Sequence, residues 1–186
     1  MTETRAYHHG DLRRALLAAS LDAIEEVGPA ALSLRDLARR AGVSHAAPAH
    51  HFGDKAGLLT ALAAQGFDLL AQTLHSAGDD LLAAGVAYVD FAVRHRAHFE
   101  VMFRPELYRA DDAELAAARE RAGAALRSQV AALPAGDAPS DTDRDALAAW
   151  SIAHGFATLW LAGALPDRVG DNPRQAAREV LSRLAE

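Results

Sequence analysis

A chain of 186 residues, 51% apolar and carrying a net charge of −6, holds enough hydrophobic material for one substantial core or for a small head on a larger body. Alanine and leucine dominate while β-branched and aromatic residues are sparse, so helices are favoured in every long window and essentially no sheet is expected. The lack of cysteine excludes a disulfide framework, thiolate-bound zinc and thiol redox sensing, and no apolar run approaches the ~20 residues of a membrane span.

The first helix is predicted from Asp11, with Leu12, Leu16, Ala19 and Ala23 on one stripe and Leu17, Leu21 and Ile24 widening it, as far as Gly28-Pro29. Ser33 reads as the N-cap of a short helix through Arg40, its hydroxyl accepting a backbone N–H. Ala41-Gly42-Val43-Ser44 follows as a tight turn: glycine supplies positive φ, valine plugs the core, and serine is expected to cap a third helix. On that reading Pro48 removes one bond of the helical ladder and makes the start of the third helix tight or 3₁₀-like. Phe52-Gly53-Asp54 closes this helix and caps a long fourth one, whose Leu58, Leu62, Phe67, Leu70 and Leu74 share a side. Further helices are predicted over 81–96, 97–104 (halted by Pro105) and 112–132. A linker-like stretch at 134–140 precedes a helix from Asp141 to Ala164, and Asn172-Pro173 opens the last one. The fold class is therefore all-α, about nine helices, with a three-helix helix-turn-helix head over 1–57 and a larger helical body over 58–186.

The acidic total argues against nucleic acid, but its distribution does not. Residues 1–57 carry seven Lys and Arg against seven Asp and Glu, so the remaining twelve basic and eighteen acidic residues supply the whole deficit. Two short helices joined by a glycine turn place the second helix in the major groove of DNA while the first braces it, although helical hairpins of this spacing also occur as plain core. An enzyme is disfavoured: there is no glycine-rich phosphate loop, no His-Glu-x-x-His and no Gly-x-Ser-x-Gly. His95 and His98 could meet at i, i+3, but two imidazoles make a weak metal site, and no metal or cofactor is expected.

Leu32-Ser-Leu-Arg-Asp-Leu-Ala-Arg-Arg-Ala-Gly-Val-Ser44, followed by His51-Phe52-Gly-Asp-Lys55 and Leu58-Leu59, resembles the head of TetR-family transcriptional regulators over about residues 10–62. Trp150-Ser-Ile-Ala-His154-Gly155 resembles a C-terminal class of that family marked by tryptophan, histidine and glycine. The resemblance implies a cytoplasmic homodimer, paired through residues 141–164 and 173–185, that binds a pseudo-palindromic double-stranded DNA operator and is released by a small-molecule effector, with no membrane association. A TetR-like protein that has lost DNA binding is the alternative, motivated by Pro48 and by Ala49, which stands where the family usually has a tyrosine touching phosphate.

The candidate DNA-binding residues are Ser33, Arg35, Ser44, His45, Ala46, Ala47, Ala49, His50, His51 and Lys55. Serine hydroxyls and helix N-termini suit phosphates, Arg35 and Lys55 add charge, with Arg13 and Arg14 as possible assistants, and the alanines can touch only thymine methyls. With no Arg, Asn or Gln on the recognition helix, modest base discrimination and dependence on DNA shape are expected. In the body, Tyr88, Phe91, Phe99, Met102, Trp150 and His154 are candidates to line an effector cavity, although such residues at helical spacing are more often ordinary core.

Overall fold

Helix formation follows the alanine and leucine content throughout. The computed structural model describes the backbone of residues 4–133 and 141–183, and side chains from Leu12 onward. Among the described residues there are nine α-helices and no strand: α1 (Thr4–Ala31), α2 (Leu34–Arg40), α3 (Ala47–Phe52), α4 (Lys55–Ser76), α5 (Leu81–Arg94), α6 (Arg96–Met102), α7 (Ala113–Ala131), α8 (Thr142–Leu161) and α9 (Pro173–Ser182). Two 3₁₀ turns, Pro105–Leu107 and Asp167–Val169, punctuate the chain after α6 and α8. The linker-like stretch at 134–140 lies outside the described residues.

Helix α1 begins at Thr4 rather than Asp11, because residues 4–10 carry no apolar stripe for periodicity to detect. Its regular part ends at Gly28, whose φ of 76° and ψ of 161° fall in a region that only glycine occupies without strain. The later helices have side-chain caps, at Asp141 and Asn172 as the sequence implies and at Asp80 as well. Asp80 accepts from the Ala83 N–H, Asp141 from Arg144, and Asn172 from both Arg174 and Gln175. Helix α8 stops at Leu161, short of Ala164. The Gly163 N–H bonds to Trp160 and the Ala164 N–H to Leu159, a pair of bonds that closes a helix with glycine in the left-handed region.

The chain forms two compact units, residues 1–66 with 97–116 and residues 67–96 with 117–186, so α4 and α7 each contribute to both. In the first unit Leu16, Leu17, Ala23 and Ile24 of α1 are buried, as are Leu37 and Ala38 of α2 and Leu58, Leu59 and Leu62 of α4. Gly66 admits the side chain of Met102, whose Sδ would lie 2.6 Å from a Cβ at that position. In the second unit α5 packs against both α8 and α9, with Val86, Tyr88, Val89 and Phe91 buried. Gly85 lets α9 approach closely, since a Cβ there would sit 2.9 Å from Leu181 Cδ1. Gln129 of α7 is buried and donates from Nε2 to the Leu74 carbonyl at 3.2 Å, tying α7 to the end of α4. Among the described residues no helix is long and apolar enough to cross a membrane.

Candidate nucleic-acid interface and body site

The helix-turn-helix is set by a specific pair of backbone bonds. After α2, the Gly42 N–H bonds to Arg39 O and the Val43 N–H to Ala38 O, with Gly42 at φ 66°, so glycine closes the helix and turns the chain. Val43 is half-buried below the turn. The third helix then starts later than the sequence suggests: Ala46, not Ser44, is its N-cap, and the first ladder bond runs from the His50 N–H to Ala46 O at 2.9 Å. Pro48 therefore lies within the first turn, where its N–H would have had no intrahelical partner, and no ladder bond is lost to it. Ser33 is the N-cap of α2 by backbone geometry, but neither its hydroxyl nor that of Ser44 caps a helix, and both residues are exposed.

Burial divides the recognition element into two faces. Pro48 and Phe52 are buried, while His45, Ala46, Ala49 and His50 are exposed and Ala47 and His51 are half-buried. His51 stands between the His50 ring at 5.6 Å and the Phe52 ring at 6.3 Å. The Arg13 guanidinium lies 5.4 Å from the Phe52 ring centroid, a cation–π contact that joins α1 to the end of α3.

The charges of the head are mostly engaged in bracing it. Arg40 donates from Nε to Asp36 and from Nη2 to Glu26 of α1, both at 2.8 Å, and Arg39 also pairs with Asp36. These hydrogen bonds, from Arg39 and Arg40 to Asp36 and from Arg40 to Glu26, hold both carboxyls below the usual carboxylate range. The Lys55 ammonium donates to Ala30 O at 2.5 Å. Arg35, in contrast, is exposed and has no ion-pair partner among the described residues.

The junction between α3 and α4 is tighter than the motif reveals. Asp54 Oδ1 caps α4 by accepting from the Gly57 N–H at 2.8 Å, and that bond, with the Arg109 guanidinium 2.9 Å from its other oxygen, keeps the Asp54 carboxyl low. Arg109 also donates its backbone N–H to Thr60 Oγ1 at 3.0 Å. A Cβ on Gly57 would lie 2.0 Å from the Phe52 carbonyl oxygen, which is backbone and has no side-chain freedom to yield. Gly57→Ala is expected to destabilise the protein by about 2 kcal/mol through overpacking. Denaturant melts would check this, and an unchanged midpoint would mean that α3 and α4 are not held this closely.

In the second unit, three candidate side chains come together. Trp150 Nε1 donates to the Tyr88 hydroxyl at 3.2 Å, and that hydroxyl lies 2.9 Å from Nδ1 of His154, one turn along α8 from Trp150. The phenol oxygen accepts from the indole, and the direction of its bond with Nδ1 is set by the imidazole tautomer. Burial pushes the Tyr88 phenol up, with the Trp150 bond a smaller opposing effect, and burial pushes His154 down. Phe91 is buried on the same helix as Tyr88, with the His95 ring at 5.1 Å. Phe99 and Met102 are buried in the first unit instead, Phe99 edge-on to Phe103 at 5.0 Å. His98, also there, bonds through Nε2 to Gln65 Oε1 at 3.2 Å.

The sign of the His154 effect follows from its lowered value. Between its folded value and the ordinary ~6.5 the unfolded chain binds the proton and the folded one does not, so this stability contribution is present above ~6.5 and is lost as pH falls. Wild type is expected to lose more melting temperature from about pH 7 to about pH 5 than His154→Gln does. Parallel losses in thermal melts of the two proteins would remove the imidazole from the argument.

A short helix closed by a glycine turn, followed by a second short helix with an exposed outer face, defines the class: a helix-turn-helix regulator. Residues 16–62 match the bacterial regulatory proteins of the tetR family, and residues 81–184 match the tetracyclin repressor-like C-terminal domain. The chain belongs to the TetR family of transcriptional regulators, and its relatives are regulators rather than enzymes. The match to the body does not resolve the tryptophan, histidine and glycine class suggested by Trp150, His154 and Gly155.

Among solved structures, a protein with unknown function from Rhodococcus sp. RHA1 is 38% identical with a TM-score of 0.79, over 96% of this chain and 95% of that one. AibR, solved in complex with isovaleryl coenzyme A and operator DNA, shares the fold at 18% identity and a TM-score of 0.64, over 93% of this chain and 97% of that one. The HTH-type transcriptional regulator BetI of Klebsiella pneumoniae (strain 342) is 44% identical over 71 residues, so the match spans 36% of this chain and 36% of that protein.

Proposed function

We propose that this chain is a ligand-responsive repressor that binds a pseudo-palindromic operator as a homodimer and is released by a small-molecule effector. The observation that carries this reading is the exposed face of the helix-turn-helix, where Ser33, Arg35, Ser44, His45, Ala46, Ala49 and His50 are all solvent-accessible. Ala47, His51 and Lys55 flank that face, half-buried, and complete the proposed interface. Phosphates meet the two serine hydroxyls, Arg35 and the start of α2, while His45, Ala46, Ala47 and His50 face base edges.

Dimerisation is proposed through α8 and α9. Leu147, Ile152 and Leu159 of α8 and Val180 of α9 are large apolar side chains left exposed on one protomer. Nothing lies within 4 Å of where a Gly155 Cβ would be, so a partner helix can approach closely there. The effector is proposed to meet the Tyr88, Trp150 and His154 cluster beside Phe91. The structure of AibR with both an acyl coenzyme A and operator DNA supports a sensor body coupled to a DNA-binding head.

The test is selection from a random duplex library with the purified protein, then anisotropy titration of the enriched sequence at several salt concentrations. Enrichment of a two-fold-symmetric motif, bound with a log-log salt slope of about −0.9 per phosphate neutralised, is the expected result. No enrichment, with weak binding even at low salt, would instead mean a TetR-like protein that has left DNA, as Ala49 in place of the family's tyrosine would allow.

A further inference from the structure

The second unit carries a groove away from the Tyr88 cluster. The last turns of α4, the start of α5 and Arg174 and Arg178 of α9 line an open groove of about 460 Å³. Its floor is apolar, made by Leu69 and Ala77 with Ala83, Val86 and Ala87 of α5. Over that floor stand Arg174 and Arg178, one turn apart on α9. The groove follows from the packing itself: Gly85 draws α9 onto α5 at Leu181, Ala176 and Ala177 are buried, and the arginines are left on the side toward α4.

The lining residues and their hydrogen bonds fix the chemistry of an occupant. Neither guanidinium has an ion-pair partner among the described residues, and no acidic side chain lines the cavity. Glu179, the acid nearest in sequence, accepts from Gln175 Nε2 at 2.9 Å. Like charges one turn apart repel, so a counter-charge between them is favourable. The hydroxyls of Thr73 and Ser76 already donate to the carbonyls of Leu69 and Gln72, both at 2.8 Å, and the first N–H groups of α9 are held by Asn172. The donors left for a ligand are therefore the two arginines and the Gln72 amide, above a floor that suits hydrocarbon.

We propose that this groove binds a small carboxylate with an apolar tail, its head group on Arg174 and Arg178 and its tail along Val86 and Ala87. The site is distinct from the proposed effector cluster and stands without reference to DNA binding.

Octanoate is the probe, titrated calorimetrically into the full chain at low ionic strength, with octanol, octylamine and acetate as comparisons. Saturable binding of octanoate is expected, with each comparison weaker. Arg174→Gln and Arg178→Gln should each weaken it by about tenfold, the effect of one charge-assisted hydrogen bond. Ala87→Leu, which fills the floor and keeps both arginines, should weaken it as well, while Tyr88→Phe should leave it unchanged. Thermal melts establish that each variant is folded. The proposal is overturned by no saturable binding, by undiminished octanoate binding in both arginine variants, or by loss of binding in Tyr88→Phe alone. Arginine variants that alter the dimerisation constant but not octanoate binding would assign these residues to an interface between copies, which also overturns it.

Discussion

Replacing Ile152 and Leu159 together by arginine is expected to convert the proposed dimer to a monomer, weakening self-association by on the order of a thousandfold. Both side chains are large, apolar and more than a third exposed on one protomer, Ile152 at 39% and Leu159 at 47%, and they lie seven residues apart on one side of α8. Gly155 stands between them with open space where a Cβ would be, so two copies of α8 can cross closely at this point. A two-fold interface uses each substitution twice, so the doubly substituted protein would bring four unpaired guanidiniums toward a desolvated seam. Sedimentation equilibrium reads the outcome directly. Since neither residue is buried in the protomer, thermal stability at low concentration should change little. A variant that remains dimeric would place the interface on another face. The same variant should bind an isolated half-site as the wild-type head does and lose the added affinity of a symmetric operator.

The parts of this fold that were legible in the sequence are those fixed by near neighbours. Asp141 and Asn172 each cap the helix that follows, and Gly42 turns the chain where its position after Ala41 implies. The start of α3 departs from the sequence expectation for a reason that is also local. Ser44 is a favourable cap by type, yet the chain makes a further turn, with the Ala47 N–H bonded to Ser44 O, before the helix begins at Ala47. A serine's preference for caps does not say which of two adjacent turns becomes helical. Pro48 was the usable signal, because proline is most at ease in the first helical turn.

What the sequence hid is the set of contacts between distant residues. The Arg109 and Asp54 pair, the Tyr88 and His154 bond and the Arg40 and Glu26 brace join positions far apart in the chain, and helical periodicity carries no information about such partners. Pairs three or four residues apart, such as Arg40 with Asp36 and Arg94 with Asp90, do follow from spacing. For the same reason Phe99 and Met102, grouped by residue type with Tyr88 and Trp150, belong to the core of the first unit. The cations illustrate the point most directly. Arg39, Arg40 and Lys55 look alike in sequence to Arg35, but they are committed to Asp36, Glu26 and the Ala30 carbonyl, and Arg35 alone of these four has no ion pair or hydrogen bond among the described residues.

Ala46→Phe is expected to weaken operator binding by on the order of a hundredfold while leaving the fold and self-association intact. Ala46 is exposed and is the N-cap of α3, so its side chain leaves the first turn of the helix proposed to enter the major groove. A methyl group there lets the backbone come close to base edges and meet a thymine methyl, whereas a benzyl group holds the helix away from the bases. The effect separates from a loss of charge by its salt dependence. Phosphate contacts set the slope of log affinity against log salt, so Ala46→Phe should lower affinity with little change of slope, whereas Arg35→Ala should reduce the slope by about one. Anisotropy titrations of both variants on the selected operator, at matched salt series, distinguish base-facing from phosphate-facing roles on one head. Binding of Ala46→Phe at wild-type affinity would remove α3 from the groove, and the face that reads DNA would then have to be sought elsewhere on the helix-turn-helix.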